Sequence, residues 1–182
     1  MTGAAGTTGA ATAKSTPAGR RRSAARLAAV QALYEMDLAG AGADEVLGEF
    51  LQKRWRHGDA GDAPGEAAPD AGDDSRDTAE LTEPDDDFLG DLVHGVSTRG
   101  KELDELIAPV LSGGWTVERL ETLLRVILRG GAYELSHKPD VPAAVVITEY
   151  LDVAHAFFDD KSVSLVNGVL DQLARNLRAG EF

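Results

Sequence analysis

A chain of 182 residues without cysteine allows one ordinary domain or two small helical lobes, and it excludes disulfides, thiolate metal sites and a cysteine nucleophile. The net charge of −13 argues at first against nucleic acid, but it is unevenly spread. Residues 1–26 hold Lys14, Arg20, Arg21, Arg22 and Arg26 and no acid, whereas residues 58–87 set twelve acids against Arg76. Exposed charges are screened beyond roughly 8 Å at physiological salt, so a local basic patch can still face RNA.

Residues 1–19 are mostly Gly, Ala, Thr and Ser, without periodic bulk, and predict a disordered tail lacking the apolar core of a secretory signal. No apolar run reaches bilayer length, which predicts a soluble, cytoplasmic protein with no membrane partner. A helix is expected from about Ser23, with Leu27, Val30, Tyr34 and Leu38 as its apolar stripe. Arg22 and Arg26 stand four apart on one face of it. Cations at a helix N-terminus oppose the macrodipole, a conflict that suggests the charge serves something outside the fold. A solvated basic terminus is the plainer alternative. Gly40-Ala-Gly42 ends this helix, and Asp44 is expected to cap the next, whose apolar face is Val46, Leu47, Phe50, Leu51 and Trp55.

Residues 58–81 carry Gly, Ala, Pro and Asp without period and read as an acidic flexible insertion. It is either a solvated loop or a competitor with RNA for the basic arm. Thr82-Glu-Pro-Asp85 reads as a capping box, with the acids at 85–87 suited to a helix N-terminus. Phe88, Leu92, Val96, Leu103, Leu106 and Ile107 continue a helical rhythm in which Gly95 and Gly100 mark either close packing or a break into two helices. The central stretch runs from Thr116, as cap, to Ser136. Val117, Leu120, Leu124, Ile127, Gly131 and Leu135 recur at helical steps for about five turns. Leu123 and Leu128 widen that stripe, so several partners are expected to bury it, and Gly130-Gly131, lacking side chains, are expected to let another backbone approach closely. Asp140 and Ser162 are the expected caps of the last two helices, whose stripes are Val146, Tyr150, Val153, Phe157 and Val163, Val166, Leu170, Leu173, Leu177. Asn167-Gly168 inside the last stripe points to packing against the glycine or to a role for the Asn amide.

These pieces assemble into a pattern. Arg22 and Arg26 lead into AVQALY; then come FLGDLVHGV, ILRGGAYEL (Ile127–Leu135), DVP (Asp140–Pro142), ITEYLDVAHAF (Ile147–Phe157) and LVNGVLD (Leu165–Asp171). In this order they resemble the NusB family of bacterial transcription antitermination factors, over roughly 20–57 and 82–178. The resemblance implies an all-α fold of about seven helices in two packed subdomains, forming one domain over 20–178, with 179–182 a C-terminal tail. It also implies binding to the boxA RNA of ribosomal RNA leaders together with the ribosomal protein NusE. The pair would join the elongating RNA polymerase and other Nus factors to suppress premature termination, with no catalysis and no cofactor.

Carried over residue by residue, the resemblance makes Arg22, Arg26 and Gln31 the RNA-facing part of the first helix, extended by Arg20 and Arg21. Lys161, Ser162 and Asn167 lie at or near a second RNA-contacting region, although Ser164-Leu165 stand where many relatives have Lys-Phe. Tyr34, Leu38 and Glu118 match positions associated with NusE. Arginine suits such a site because its planar fork binds phosphate and its face stacks on bases. Read from spacing alone, Tyr34 is equally a core aromatic and Asn167 equally a structural amide. His155 and Asp159 have ligand spacing, but no third ligand accompanies them, so no metal or hydrolytic site is expected. Two rival readings are a homodimeric adaptor without direct RNA binding, and a stand-alone relative of the NusB-like domain of rRNA methyltransferases. The second lacks the catalytic Cys and the cofactor-binding α/β pattern such an enzyme needs.

Overall fold

The computed structural model describes residues 16–58 and 82–182, with side chains left out over 53–58. The expected N-terminal tail up to residue 15, the acidic insertion over 59–81 and the Trp55 side chain lie outside the described residues. Seven α-helices are described: α1 (Pro17–Ala39), α2 (Ala43–Gly58), α3 (Asp86–Thr98), α4 (Gly100–Ile107), α5 (Thr122–His137), α6 (Ala143–His155) and α7 (Asp160–Leu177). Short 3-10 turns follow at Ala108–Val110, Val117–Arg119 and Ala179–Glu181.

The central helix is α5, as its broad stripe requires: α1, α3, α4, α6 and α7 all pack on it. Val126, Ile127, Leu128, Ala132 and Leu135 are buried among them. It begins at Thr122, however, and not at Thr116. Val117–Arg119 is a 3-10 turn, and Leu120 and Glu121 are extended. A 3-10 turn also brings residues three apart to one side, so Val117 and Leu120 keep the helical rhythm while lying outside the helix. Gly130 and Gly131 do admit close neighbours, but these are side chains. A Cβ at Gly130 would lie 2.7 Å from the Tyr150 ring, and one at Gly131 would lie 2.6 Å from Leu170.

α1 starts six residues before its expected Ser23. Thr16 caps it by accepting from the Gly19 amide at 3.0 Å, and Pro17 takes the first position, where its missing N–H costs nothing. Residues 17–19 of the expected tail are therefore helical. The buried row of α1 is small and aliphatic: Ala25, Ala28, Ala29, Val30, Ala32 and Leu33. Of the expected stripe only Val30 lies in the core; Leu27 and Leu38 are exposed and Tyr34 is half-buried. Alanine lets α1 lie close on α3 and α5, and that pushes the larger side chains outward. Gly40 ends the helix in left-handed backbone (φ 67°).

Several caps belong to other residues than expected. Asp85, not Thr82, caps α3 by accepting from Phe88 N–H at 3.1 Å, with Asp86 and Asp87 in the first turn. Asp159, not Ser162, caps α7; Ser162 is the donor. Asp140 does not cap α6, because Pro142 is its N-cap residue and the Ala143 amide donates to Glu181 Oε2 at 2.7 Å. Asp44 stands inside the first turn of α2. The break between α3 and α4 falls at Arg99, beside Gly100.

The C-terminal residues are structural and not a loose tail. Arg178, on leaving α7, donates to the carbonyls of Glu134 (2.7 Å), Leu135 (2.7 Å), Lys138 (2.8 Å) and Val141. Two of these belong to the last turn of α5: Glu134 O also accepts from the Lys138 amide, whereas Leu135 O would face Pro139, which has no N–H to give. Arg178 also pairs with Glu181 at 3.2 Å, and Glu181 caps α6.

Two glycines separate packing from backbone effects. Gly168 lies exposed in α7 with open space around its Cα, so the packing expected against it is absent. Gly168→Ala should stabilise the fold by about 0.5–1 kcal/mol through helix propensity. Gly130→Ala should destabilise it by about 1–3 kcal/mol, because the fully buried Tyr150 ring cannot move aside. Urea unfolding of both variants checks this; equal shifts of one sign would refute the packing account.

Candidate nucleic-acid and partner interface

The arginine run does not act as one patch. At about 3.6 residues per turn, the three consecutive arginines of α1 point in three directions. Arg20 falls on the same line as Leu27, Gln31, Tyr34 and Leu38, and of these only Tyr34 is not exposed. Arg21 turns toward the chain leading into α3: its Nη2 donates to Pro84 O at 3.4 Å, and its own carbonyl accepts from the Asp85 amide at 3.1 Å. Arg22 is half-buried, with its guanidinium 5.3 Å from the centre of the Phe88 ring and 4.0 Å from Asp140.

Arg26 is not an RNA-facing residue. It is 2% exposed and makes a bidentate pair with Glu134, Nε to Oε1 at 2.8 Å and Nη2 to Oε2 at 2.7 Å. Its Nη1 lies 3.4 Å from Glu149, and the Phe88 ring centre is 5.1 Å away. Burial alone would lower the guanidinium pKa. The hydrogen bond and charge of Glu134, with Tyr150 and Glu149, more than offset it, so the net shift is upward. Burial raises the Tyr150 hydroxyl well above its ordinary value, and the neighbouring Glu134, to which it hydrogen bonds, adds to this. The cation is thus fixed in place beneath Arg22, one helical turn away.

Lys161 and Asn167 are exposed on α7. Ser162 is committed to the helix cap: its amide and hydroxyl both bond to Asp159, and these bonds hold the Asp159 carboxyl below its usual range. α1 and α7 both pack on α5 and α6, so the two candidate RNA regions share one frame.

At the far end of α1, Leu38 is the most exposed of the large apolar side chains among the described residues, at 65%. Beside it Asp37 receives Arg125 at 3.2 Å and Arg129 at 3.8 Å, and Arg129 grips Asp104 with two bonds of 2.7 Å. Asp37 and Arg129 also help to line a cavity of about 240 Å³ with Leu33, Met36 and Val126. Glu118 is exposed in the 3-10 turn before α5; its own backbone amide and the Thr116 hydroxyl hold its carboxyl below the ordinary value, against the charge of Asp104. Tyr34 and Leu38 therefore share a helix face, while Glu118 stands outside α1, in the 3-10 turn before α5.

Sequence reasoning missed Glu134, Glu149, Arg178 and the Asp37–Arg129–Asp104 ladder. A signal existed for the first. Glu134 falls seven residues after Ile127, on the row that buries Ile127 and Gly131, and an acid on such a row requires a cation.

Fold and surface together define a class: an all-helical factor whose distinctive chemistry is the charge and apolar face of one long helix. A model described as the NusB family matches residues 23–175, and the chain belongs to that family. It is 47% identical over 165 residues to the transcription antitermination protein NusB of Nitrobacter hamburgensis, covering 89% of this chain and 91% of that protein. It is likewise 47% identical to the protein of the same name from Bradyrhizobium diazoefficiens, covering 89% and 88%. Among solved structures, T. maritima NusB aligns with a TM-score of 0.64 at 24% identity, covering 88% of this chain and 96% of that one. A chain from the complex of antitermination factors NusB and NusE with dsRNA aligns at 0.60 and 23% identity, covering 86% and 98%. These structural likenesses show the fold.

Removing one member of a buried ion pair strands the other, at a cost of about 3–5 kcal/mol. Arg26→Ala should therefore lower the melting temperature sharply by leaving Glu134 and Glu149 without their cation, while Arg22→Ala should change stability by less than about 1 kcal/mol. Thermal unfolding followed by circular dichroism checks both, and an Arg26→Ala protein as stable as wild type would contradict the assignment.

Proposed function

We propose that this chain is an RNA-binding transcription antitermination factor that binds boxA-type RNA together with NusE and joins the elongating RNA polymerase. The observation that carries it is the two-ended surface of α1, cationic at Arg20–Arg22 and apolar at Tyr34 and Leu38. The name of the 47%-identical relatives supports the activity, and the NusB–NusE complex with dsRNA among the structural neighbours supports the pair of partners.

The division of labour follows from chemistry. Guanidinium groups at the N-terminal end of α1 meet phosphates, and Gln31 offers an amide to a base edge. Lys161 and Asn167 extend the RNA surface along α7. The exposed Leu38, with Tyr34 on the same helix face, takes the ribosomal protein, since an aliphatic side chain at the surface gains by being covered; Glu118, in the turn before α5, is a further candidate contact. No described helix is long and apolar enough to cross a membrane. The rival homodimeric adaptor would bury the same stripe and would not show the salt dependence that phosphate binding imposes.

Replacing Arg20, Arg21 and Arg22 together by alanine should weaken binding of a single-stranded boxA oligonucleotide. It should also flatten the salt dependence by about 0.7 in log–log slope for each phosphate no longer neutralised. Fluorescence anisotropy at several salt concentrations measures this, and an unchanged slope would remove the arm from the RNA site. Leu38→Asp should abolish association with NusE in pull-down while RNA affinity stays within about twofold, as expected for a change confined to the opposite end of the helix; retained association would move the partner surface elsewhere.

A further inference from the structure

The arginine end of α1 is not an isolated basic patch, because an acidic stretch is fastened to it. The Asp85 amide donates to Arg21 O at 3.1 Å, Arg21 Nη2 donates to Pro84 O at 3.4 Å, and Pro84 is buried. Phe88, one turn into α3, carries the guanidinium groups of Arg22 and Arg26 over its ring at 5.3 and 5.1 Å. This seam fixes where Glu83, Asp86 and Asp87 stand. Each lies within two residues of Asp85, so its Cα is at most about 7 Å from that point. All three are exposed. On the other side, Asp140, which does not cap α6, lies 4.0 Å from Arg22.

We propose that the seam-bound acids Glu83, Asp86 and Asp87 are a built-in electrostatic counterweight that lowers the affinity of the Arg20–Arg22 end for RNA and so restricts it to ligands that engage more than phosphate. The inference rests on the RNA-binding reading above and concerns only the acids held at the seam. A polyphosphate strand approaching Arg21 or Arg22 comes within about a Debye length of three carboxylates whose backbone is held there by the bonds of Asp85 and Pro84 to Arg21. Non-specific binding depends almost wholly on phosphate charge, whereas boxA-type RNA adds base and stacking interactions. The carboxylates therefore penalise the first more heavily in proportion. Their effect fades with salt, since they act through space.

The test uses the full chain with Glu83→Gln, Asp86→Asn and Asp87→Asn combined, leaving the Asp85 cap intact. The probes are a boxA-type single strand and a scrambled strand of equal length. At about 50 mM salt the variant should bind both strands about threefold to tenfold more tightly, so that the scrambled strand gains measurable affinity, with the gain vanishing near 0.5 M. Glu83→Gln alone, which lies outside α3 and cannot disturb its first turn, should give part of the same gain. Wild-type affinity for both variants at low salt, with the arginine variants still weakened, overturns the counterweight and leaves the RNA reading standing. Failure of the wild-type chain to bind either strand overturns both.

Discussion

The arrangement of α1, α5 and α6 depends on one buried cation. Arg26 reaches from α1 into the core, closes two bonds on Glu134 of α5 and lies against Glu149 of α6. Desolvating a charge in this way is costly, and attraction repays it only when the geometry is good and the remaining donors are satisfied. Here the fork of the guanidinium matches the carboxylate and Phe88 closes the side. Such a cluster contributes less to net stability than to uniqueness. A sliding or rotation of α1 by one residue would strand three ionised groups, so the alanine-rich helix, which by itself offers few features to hold its register, has one orientation. That orientation sets which side chains of α1 face outward.

A second constraint holds the opposite corner. Arg178 binds carbonyls at the end of α5 and in the loop to α6, while Glu181 caps the α6 N-terminus. One four-residue stretch at the end of the chain thus satisfies orphan groups on two helices that lie far earlier in sequence. The helix C-terminus receives a cation and the helix N-terminus an anion, each of the sign that the dipole favours. The α5–α6 hairpin is closed by the residues that follow α7, and the last three helices pack on one another around Leu170, Leu173 and Val166.

How far the sequence discloses this follows from the range of each interaction. Helix number and the centrality of α5 are legible, because a stripe such as Leu124, Ile127, Gly131 and Leu135 is a local pattern. A close approach at Gly130 and Gly131 is legible too, but not that the side chains of Tyr150 and Leu170, rather than another backbone, make it. The caps are not, since Ser162 and Asp159 are both good capping residues and only the backbone decides between them. Bulk misleads on α1, where close helix packing places Ala25, Ala28, Ala29 and Ala32 in the core and leaves Leu27 and Leu38 outside. Arg26 is hidden for a deeper reason. Its partner Glu134 lies 108 residues away, and nothing in the local run of arginines distinguishes the one that meets a carboxylate from those that do not.

The arginine run therefore carries two kinds of information in one stretch of helix. Arg22 and Arg26 are one turn apart and share the Phe88 ring, yet one is at the rim and the other inside. A loss of RNA binding on changing either would look the same in a binding assay. One would act by removing a charge that meets the ligand, the other by releasing α1 from α5 and α6 and so dispersing Arg20, Gln31, Tyr34 and Leu38 together. Only a measurement of stability alongside binding separates them. The same reasoning explains how a chain of net charge −13 can present a cationic end at all. Its core cation is matched by core carboxylates, and the charge left at the N-terminal end of α1 is set by which side chains face outward and not by composition.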